Sequence, residues 1–570
     1  MSTSVAPPAF DRDLMLARLG DEAFDVLVIG GGVTGVGVAL DAAARGLRTA
    51  LVERDDFASG TSSRSSKLVH GGLRYLQNGD VRLVYEALHE RQRLLRNAPH
   101  LVEVLPFLIP VLTRDGVISR RVAKALGSAM WMYDLTGGWR IGRRHRRLDA
   151  ETAHAHVPTL PTDRVAGGYL YYDATADDAR LTLTIARTAA AHGAVIANRC
   201  RVVALTPTVD PTGNTGPVDG AVVDTGHGEI TVRAATVVNA TGVWADDIDR
   251  LDRPGGPPTI RPAKGVHVTV PWERVRNDIA VIIPVPGDKR SLFLVPWGPR
   301  GDGTFRHAYV GTTDTDHDGS LDDPQCDATD LDYVLGALNH AIAADGHATP
   351  FSADDVTGVW AGLRPLVAGD ATGRTADLSR THRVTVSDRG VVTIAGGKLT
   401  TYRAMAEDTV DTVLAPTRRK RRPWRRSPTR RLRLLGATRE LGDISTRTGH
   451  LRRRYGTEAD AVLALIDRDP RLGDPLVTGL PYLRAEAAYA VRREMATTLE
   501  DVLVRRTRCH LADREATEAA APGVAELVGR ELGWSDAEVA RQLDDYRRLC
   551  ERERRAAREH RAERVTGATP

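Results

Sequence analysis

Residues Phe24–Gly37 read FDVLVIGGGVTGVG, followed by VALDAAAR (Val38–Arg45) and TALVE (Thr49–Glu53). Phe24–Ile29 is a short apolar, β-branched run, which predicts a strand buried on both faces. Val38–Arg45 predicts a helix that Gly46 stops, and Thr49–Glu53 predicts a second strand. Strand, glycine turn, helix and strand form a βαβ unit, and such units build parallel sheets. Within the turn, Gly30-x-Gly32-x-x-Gly35 has the spacing of a dinucleotide site. The first glycine allows the tight turn, the second lets backbone approach a pyrophosphate, and the third lets helix pack on strand. The helix N-terminus favours phosphate charge. Glu53 closes the second strand, where a carboxylate accepts from ribose hydroxyls.

The fingerprint alone does not separate NAD from FAD. Further along, Val237–Gly242 (VVNATG) runs from a strand into a small-residue turn, and Ile394–Lys398 (IAGGK) repeats that pattern before another helix. A helix N-terminus there is suited to negative charge on a reduced flavin. Three returns to one cofactor predict a long flavin dinucleotide bound by a discontinuous domain.

Between these returns the pattern is strand-rich. Short strands are predicted at 194–197, 220–224, 236–239, 264–270, 278–283, 291–295 and 307–311, with a strand at 391–394 leading into a helix over about 399–413. This predicts an inserted sheet domain. Thr417–Arg433 (TRRKRRPWRRSPTRRLR) carries ten basic residues and reads as a linker. Beyond it the pattern is helical. Ser535-Asp536-Ala537-Glu538 predicts a capping box, with Val539, Leu543, Tyr546 and Leu549 on one helix face.

Composition narrows the classes. At roughly 100–200 residues per domain, 570 residues predict three or four domains. The net charge of +4 selects no partner class. Cys200, Cys326, Cys509 and Cys550 form no CxxC pair, which excludes a disulfide framework and an all-cysteine zinc site, and a reducing compartment is expected. No apolar run reaches the roughly 18 residues of a spanning helix. Met1–Glu22, with four acids and no apolar core, does not read as a signal peptide.

Ala58–Leu76 reads ASGTSSRSSKLVHGGLRYL, which resembles the signature of the FAD-dependent, quinone-linked glycerol-3-phosphate dehydrogenases. The likeness continues through APHLVEVLPFLIP (98–110), NATGVW (239–244), KGVH (264–267), GLRP (362–365), GGKLTTYR (396–403) and LEDVLVRRTR (499–508). It spans nearly the whole chain in order; the arginine-rich segment and the tail after Leu549 depart from it. The resemblance implies an α/β fold: a Rossmann-like FAD-binding domain (24–95, 165–250 and 355–414), an inserted antiparallel-sheet substrate domain (96–164 and 251–354), a basic linker (415–433) and a C-terminal all-α domain (434–570).

It also implies chemistry. Glycerol 3-phosphate is oxidised to dihydroxyacetone phosphate by hydride transfer to FAD, and the electrons pass to a membrane quinone. A phosphate dianion calls for cations, and Arg74, Arg364 and Lys398 come from three separate motifs, with Tyr75 as a neutral donor. His267 is expected to be the base, with His70 beside the flavin and Arg364 stabilising the developing alkoxide. Gly30, Gly32, Thr34, Gly35, Glu53, Thr61, Ser62, Lys67, Thr241, Gly242, Trp244, Gly397 and Lys398 are expected to hold the cofactor. No metal site is expected. Ordinary roles stay open: His267 alternates with valines on a strand and fits a core histidine, His70 fits a turn-orienting residue, and Lys67 fits a polar loop.

The basic run with Trp424 is compatible with a solvated linker or with anionic lipid; nucleic acid is not expected. A peripheral location on the inner, cytoplasmic face of the cell membrane and a homodimer are consistent with this reading. Its rivals are an oxidase passing electrons to oxygen, an amine or amino-acid oxidase, and a silent flavin-fold scaffold.

Overall fold

The structure is a computed structural model describing residues 10–72, 81–113, 131, 133, 141–209, 215–288, 290–342, 349–368, 381–416 and 426–566. Its centre is a six-stranded sheet in the order Arg383–Val386, Val392–Ala395, Val237–Asn239, Val26–Ile29, Thr49–Val52 and Val195–Ala197. Five strands run parallel and the edge strand Arg383–Val386 is antiparallel. Val26–Ile29 and Thr49–Val52 are buried throughout, because helices and the four-stranded sheet that contains Thr215–Asp224 and Glu229–Ala234 both pack against this sheet and share its core. The helix after the glycine turn spans Val33–Ala44, earlier than its apolar run suggests, since Gly35 and Gly37 lie inside it.

The opening apolar run is divided between two sheets. Ala23–Phe24 pairs with Arg233–Ala234 in a four-stranded sheet, whereas Val26–Ile29 enters the central one. Asp25 makes the break, its carboxylate accepting from the Arg48 backbone N–H at 2.8 Å.

The inserted sheet is larger than expected. Ile260–Pro271 pairs on one side with Phe305–Gly311 and Thr315–Asp316, and on the other with Gly358–Val367. The order continues through Ser291–Pro299, Ala280–Pro284, Val102–Leu112, Val165–Ala176 and Leu68–Val69. Pairing is antiparallel except between Ala280–Pro284 and Val102–Leu112. Three segments assigned above to the dinucleotide domain, Leu68–Val69, Val165–Ala176 and Gly358–Val367, are strands of this sheet. Strand pairing, not the local pattern, decides their membership.

The C-terminal part is helical, with Arg447–Tyr455, Ala459–Arg468, Arg484–Glu494, Arg514–Leu532 and Asp536–Thr566 around their own core. The expected face holds: Tyr546 and Leu549 are buried in that core, with Val539 and Leu543 against it. Only half of the predicted capping box forms. The Glu538 N–H donates to Ser535 Oγ at 3.2 Å, but the Glu538 carboxylate pairs with Arg541 and Gln542.

The basic segment also differs from a free linker at its end. Residues 417–425, with Trp424, lie outside the described residues. From Ser427 the chain is docked: Ser427 and Thr429 donate to Asp41, Asn97 Nδ2 donates to Thr429 O at 3.1 Å, and Arg430 pairs with Glu407. Among the described residues no helix is long and apolar enough to cross a membrane.

Candidate flavin and substrate site

The glycines of the turn divide into two kinds. At Gly30, φ is +111° and a Cβ would meet Ala240 O at 2.7 Å; at Gly35 a Cβ would collide with Gly30 O. Both serve the packing of the turn. At Gly32 a Cβ would meet only Ser62 Oγ, at 3.2 Å, a tight contact that a small shift of that side chain relieves. Gly32 caps the helix Val33–Ala44 and faces a cavity of about 490 Å³.

That cavity gathers most of the expected cofactor residues. Gly30, Gly32, Thr34, Glu53, Thr61 and Ser62 line it from the first return of the chain, Thr241, Gly242 and Trp244 from the second, and Gly397 and Lys398 from the third. Ser62 Oγ accepts from the Val33 N–H at 2.9 Å, tying the loop to the helix start. Glu53 is buried and accepts from the backbone N–H groups of Gly31 and Asp55. Burial pushes its carboxyl up to about 7. Carboxylate oxygens with only these donors keep lone pairs for ribose hydroxyls. The cavity is also lined by Arg201–Val203 and by Asp247, Ile248 and Leu251, none evident from sequence, because a strand and a helix far apart in the chain meet only on folding. A cavity of this size lined by a helix N-terminus, a buried carboxylate and small-residue turns fits a dinucleotide.

Lys67 departs from expectation. It does not line the cavity. Its ammonium is buried, 3.5 Å from Asp178 and 4.3 Å from the centre of the Trp360 ring, and burial lowers its pKa to about 8.

Beside the cavity lies a second constellation. Arg364 sits on the strand Gly358–Val367, next to Pro365, which lines the cavity together with Lys398. Its guanidinium donates to Lys264 O at 3.3 Å, Thr312 Oγ1 at 3.3 Å and Thr313 O at 3.0 Å, and pairs with Asp314 at 3.2 Å. A Cβ at Gly265 would stand 2.5 Å from its Nη2, so the glycine of KGVH makes room for the arginine of GLRP. Asp314 is thus a site residue that sequence reasoning missed; the GTTD stretch 311–314 was its only signal.

His267 is 3 % exposed and stacks on Trp360, with ring centres 4.9 Å apart. Its Nε2 is 2.8 Å from Ser66 Oγ. A Cβ at Gly311 would collide with the ring, so that glycine too is a space for a side chain. Burial, then the charges of Lys67 and Arg364, hold the imidazole well below its ordinary pKa, hence neutral. Neither His267 nor Ser66 lines the cavity. His70 is fixed by its neighbour motif: its N–H donates to Thr400 Oγ1 at 3.1 Å, and its ring meets Phe293 edge-on. That bond joins HGGLRYL to GGKLTTYR. Arg74 and Tyr75 lie outside the described residues.

Residues 25–403 match the FAD dependent oxidoreductase family, and residues 427–539 match the C-terminal domain of alpha-glycerophosphate oxidase. Glycerol-3-phosphate dehydrogenase 2 of Mycobacterium tuberculosis is 42 % identical over 561 residues, covering 95 % of this chain and 90 % of its own length. The mitochondrial glycerol-3-phosphate dehydrogenase of Mus musculus is 39 % identical over 570 residues, covering 95 % of this chain and 75 % of its own. The X-ray structure of the glycerol-3-phosphate dehydrogenase from Bacillus halodurans complexed with FAD matches with a TM-score of 0.74 at 30 % identity, over 95 % of this chain and 97 % of that one. With its glycine turn, three-part cavity and helical C-terminal domain, the chain belongs to the FAD-dependent oxidoreductases and, within them, to the glycerol-3-phosphate dehydrogenase family.

Proposed function

We propose that this protein oxidises glycerol 3-phosphate to dihydroxyacetone phosphate and passes the two electrons to a membrane quinone. The observation that carries this reading is Arg364, whose guanidinium is fixed by Asp314 and Thr312 and which directly precedes Pro365, a residue of the cavity wall that Lys398 also lines. A fixed guanidinium and an ammonium beside a flavin suit a phosphate-bearing alcohol better than an apolar substrate. The names of the relatives point the same way.

Bound FAD supplies the two-electron acceptor for the hydride leaving the alcohol carbon. Gly30, Gly32, Glu53, Thr61, Ser62, Thr241, Gly242, Trp244, Gly397 and Lys398 hold it. Arg364 and Lys398 orient the phosphate or stabilise the developing oxyanion, joined by Arg74 and Tyr75 from the segment after His70. The hydroxyl proton passes to His267, whose neutral imidazole is the form that accepts one. His70 borders the flavin.

Anaerobic mixing with glycerol 3-phosphate tests the reaction: it bleaches the flavin, while glycerol does not. Arg364→Ala lowers kcat/KM by about 3 kcal/mol of transition-state stabilisation. Equal efficiency with glycerol refutes the cationic site.

The acceptor separates two readings. A quinone-linked enzyme reoxidises slowly in air and quickly with a soluble quinone analogue. The oxidase reading is favoured by the description of the C-terminal family match, and it predicts rapid stoichiometric peroxide. Reaching a bilayer quinone requires a peripheral location on the inner face of the cell membrane, where each basic residue contributes about 1 kcal/mol on anionic lipid. Salt-sensitive vesicle binding that weakens when Arg418, Arg419, Arg421 and Arg422 become serine supports this; unchanged binding assigns the segment to solvent. A homodimer completes the proposal, tested by sedimentation.

A further inference from the structure

LEDVLVRRTR (499–508) lies far from the cavity in sequence, yet its arginines point back at the loop that shapes the cavity. Arg505 donates to Asp56 at 2.7 Å, and Arg506 donates to both Asp56 oxygens at 2.7 and 2.8 Å. Arg508 donates to Asp177 at 3.0 Å and to Asp178. Asp56 and Asp178 are completely buried. Asp178 also accepts from the Ser65 N–H at 3.0 Å, from the Ser65 hydroxyl at 2.7 Å and from Lys67 Nζ. The loop carrying Thr61 and Ser62 is therefore anchored at both ends by one stretch of the C-terminal domain.

The Ser65–Lys67 turn is the inner end of that anchor, and all three residues touch the surroundings of His267. Trp360 Nε1 donates to Ser65 O at 3.1 Å, and the Tyr309 hydroxyl donates to Ser66 O at 2.9 Å. Ser66 Oγ meets His267 Nε2, while the Lys67 ammonium lies against the Trp360 ring on which His267 stacks. The charged groups facing the imidazole are the cations Lys67 and Arg364, each with a carboxylate behind it, Asp178 and Asp314; the Tyr309 ring stands edge-on at 6.3 Å.

We propose that Ser66 and Lys67 are positioning residues for His267, held in place by Asp178 and Arg508, so that the docked C-terminal domain sets the orientation and protonation of the imidazole. The proposal rests on the reading of His267 as the base. A neutral imidazole has one donor and one acceptor nitrogen, and Ser66 occupies one of them. A cation against the same aromatic ring on which the imidazole stacks disfavours the imidazolium and lowers the pH at which the base is lost. Asp178, paired with Arg508, holds that cation through a buried ion pair and holds the turn through Ser65, the residue before Ser66, with a geometry a surface turn lacks.

The test uses the FAD-loaded full chain. Lys67→Met removes the cation but leaves Asp178 with Arg508. The acid limb of the pH profile of kcat/KM is expected to move up by about one pH unit, and Lys67→Arg restores it. Lys67→Gln serves as a second variant if the methionine form fails to fold. Arg508→Lys keeps the charge but gives up the fork onto two aspartates; severalfold lower kcat at unchanged KM and unchanged flavin content is expected. An unmoved acid limb in both Lys67 variants, or normal kcat in Arg508→Lys, overturns the proposal. His267→Asn, measured alongside, separates the two failures. If it is inactive while the limb stays put, only the positioning role falls; if it keeps wild-type kcat, the base assignment falls and takes this proposal with it.

Discussion

Two buried acidic regions of this protein are built in opposite ways. In the dinucleotide cradle, Glu53 is met only by backbone donors, and the Arg54 guanidinium beside it turns away to Asp55 and Asp322. Burial wins, and the carboxyl rises to about 7. At the junction with the C-terminal domain, burial acts on acids just as strongly, yet guanidiniums overcome it. Arg199, Arg505 and Arg506 hold Asp501 far below the carboxylate range, and His450 and Arg454 bring Glu486 down to about 2. The difference is one of unused capacity. The cradle leaves lone pairs for a ligand to fill, whereas Asp56, Asp501 and Glu486 at the junction have both oxygens taken by several donors of their own chain.

The largest test of this contrast is at Gly32. Gly32→Val leaves the protein folded, because only Ser62 Oγ lies near, but it abolishes flavin retention, read from the visible absorbance of the purified protein. Stoichiometric flavin in that variant would mean the cradle is not the cofactor site. Next is Asp56→Ala, which strands Arg505 and Arg506 without a carboxylate they now share. A loss of about 3–5 kcal/mol in urea unfolding is expected; a loss under about 1 kcal/mol would show that the two arginines do not depend on Asp56.

A smaller effect tests the cradle from its other side. Because Glu53 titrates higher in the folded apoprotein than in the unfolded chain, the folded form holds the extra proton between pH 4.5 and about 7. Its contribution to stability is present below that window and is lost as pH rises through it, on the order of 3 kcal/mol in all. Glu53→Gln apoprotein should lack this slope and bind FAD more weakly; an unchanged slope would contradict the burial argument. The smallest effect lies outside both regions. Ser535→Ala removes one exposed helix cap, with an expected cost of about 1 kcal/mol in the melting curve. That value calibrates an ordinary local interaction against the buried junction.

Much of the cradle was legible because its determinants are local. Gly30, Gly32, Gly35 and Glu53 fall within one βαβ unit, and the spacing of glycines and acid is the spacing of the turn itself. The returns at Thr241 and Gly397 were legible as strand-to-turn patterns of the same kind. The residues around Arg364 and His267 were legible as motifs but not as contacts. Gly265 makes room for a guanidinium 99 positions away, and Gly311 makes room for an imidazole contributed by the neighbouring strand. Lys67 was misplaced for a related reason. Nothing in SSRSSK distinguishes a lysine facing a cofactor from one buried against Asp178, which lies 111 residues on.

The sequence by itself therefore determined the βαβ nucleus, the class of cofactor and the helical end domain, since periodicity and glycine spacing act over a few residues. The tertiary structure decided which strands join the large sheet, which carboxylate backs each cation, and that the basic segment ends docked on Asp41 and Glu407. Those outcomes depend on desolvation and on charges brought together from distant parts of the chain, and neither exists before the chain is folded.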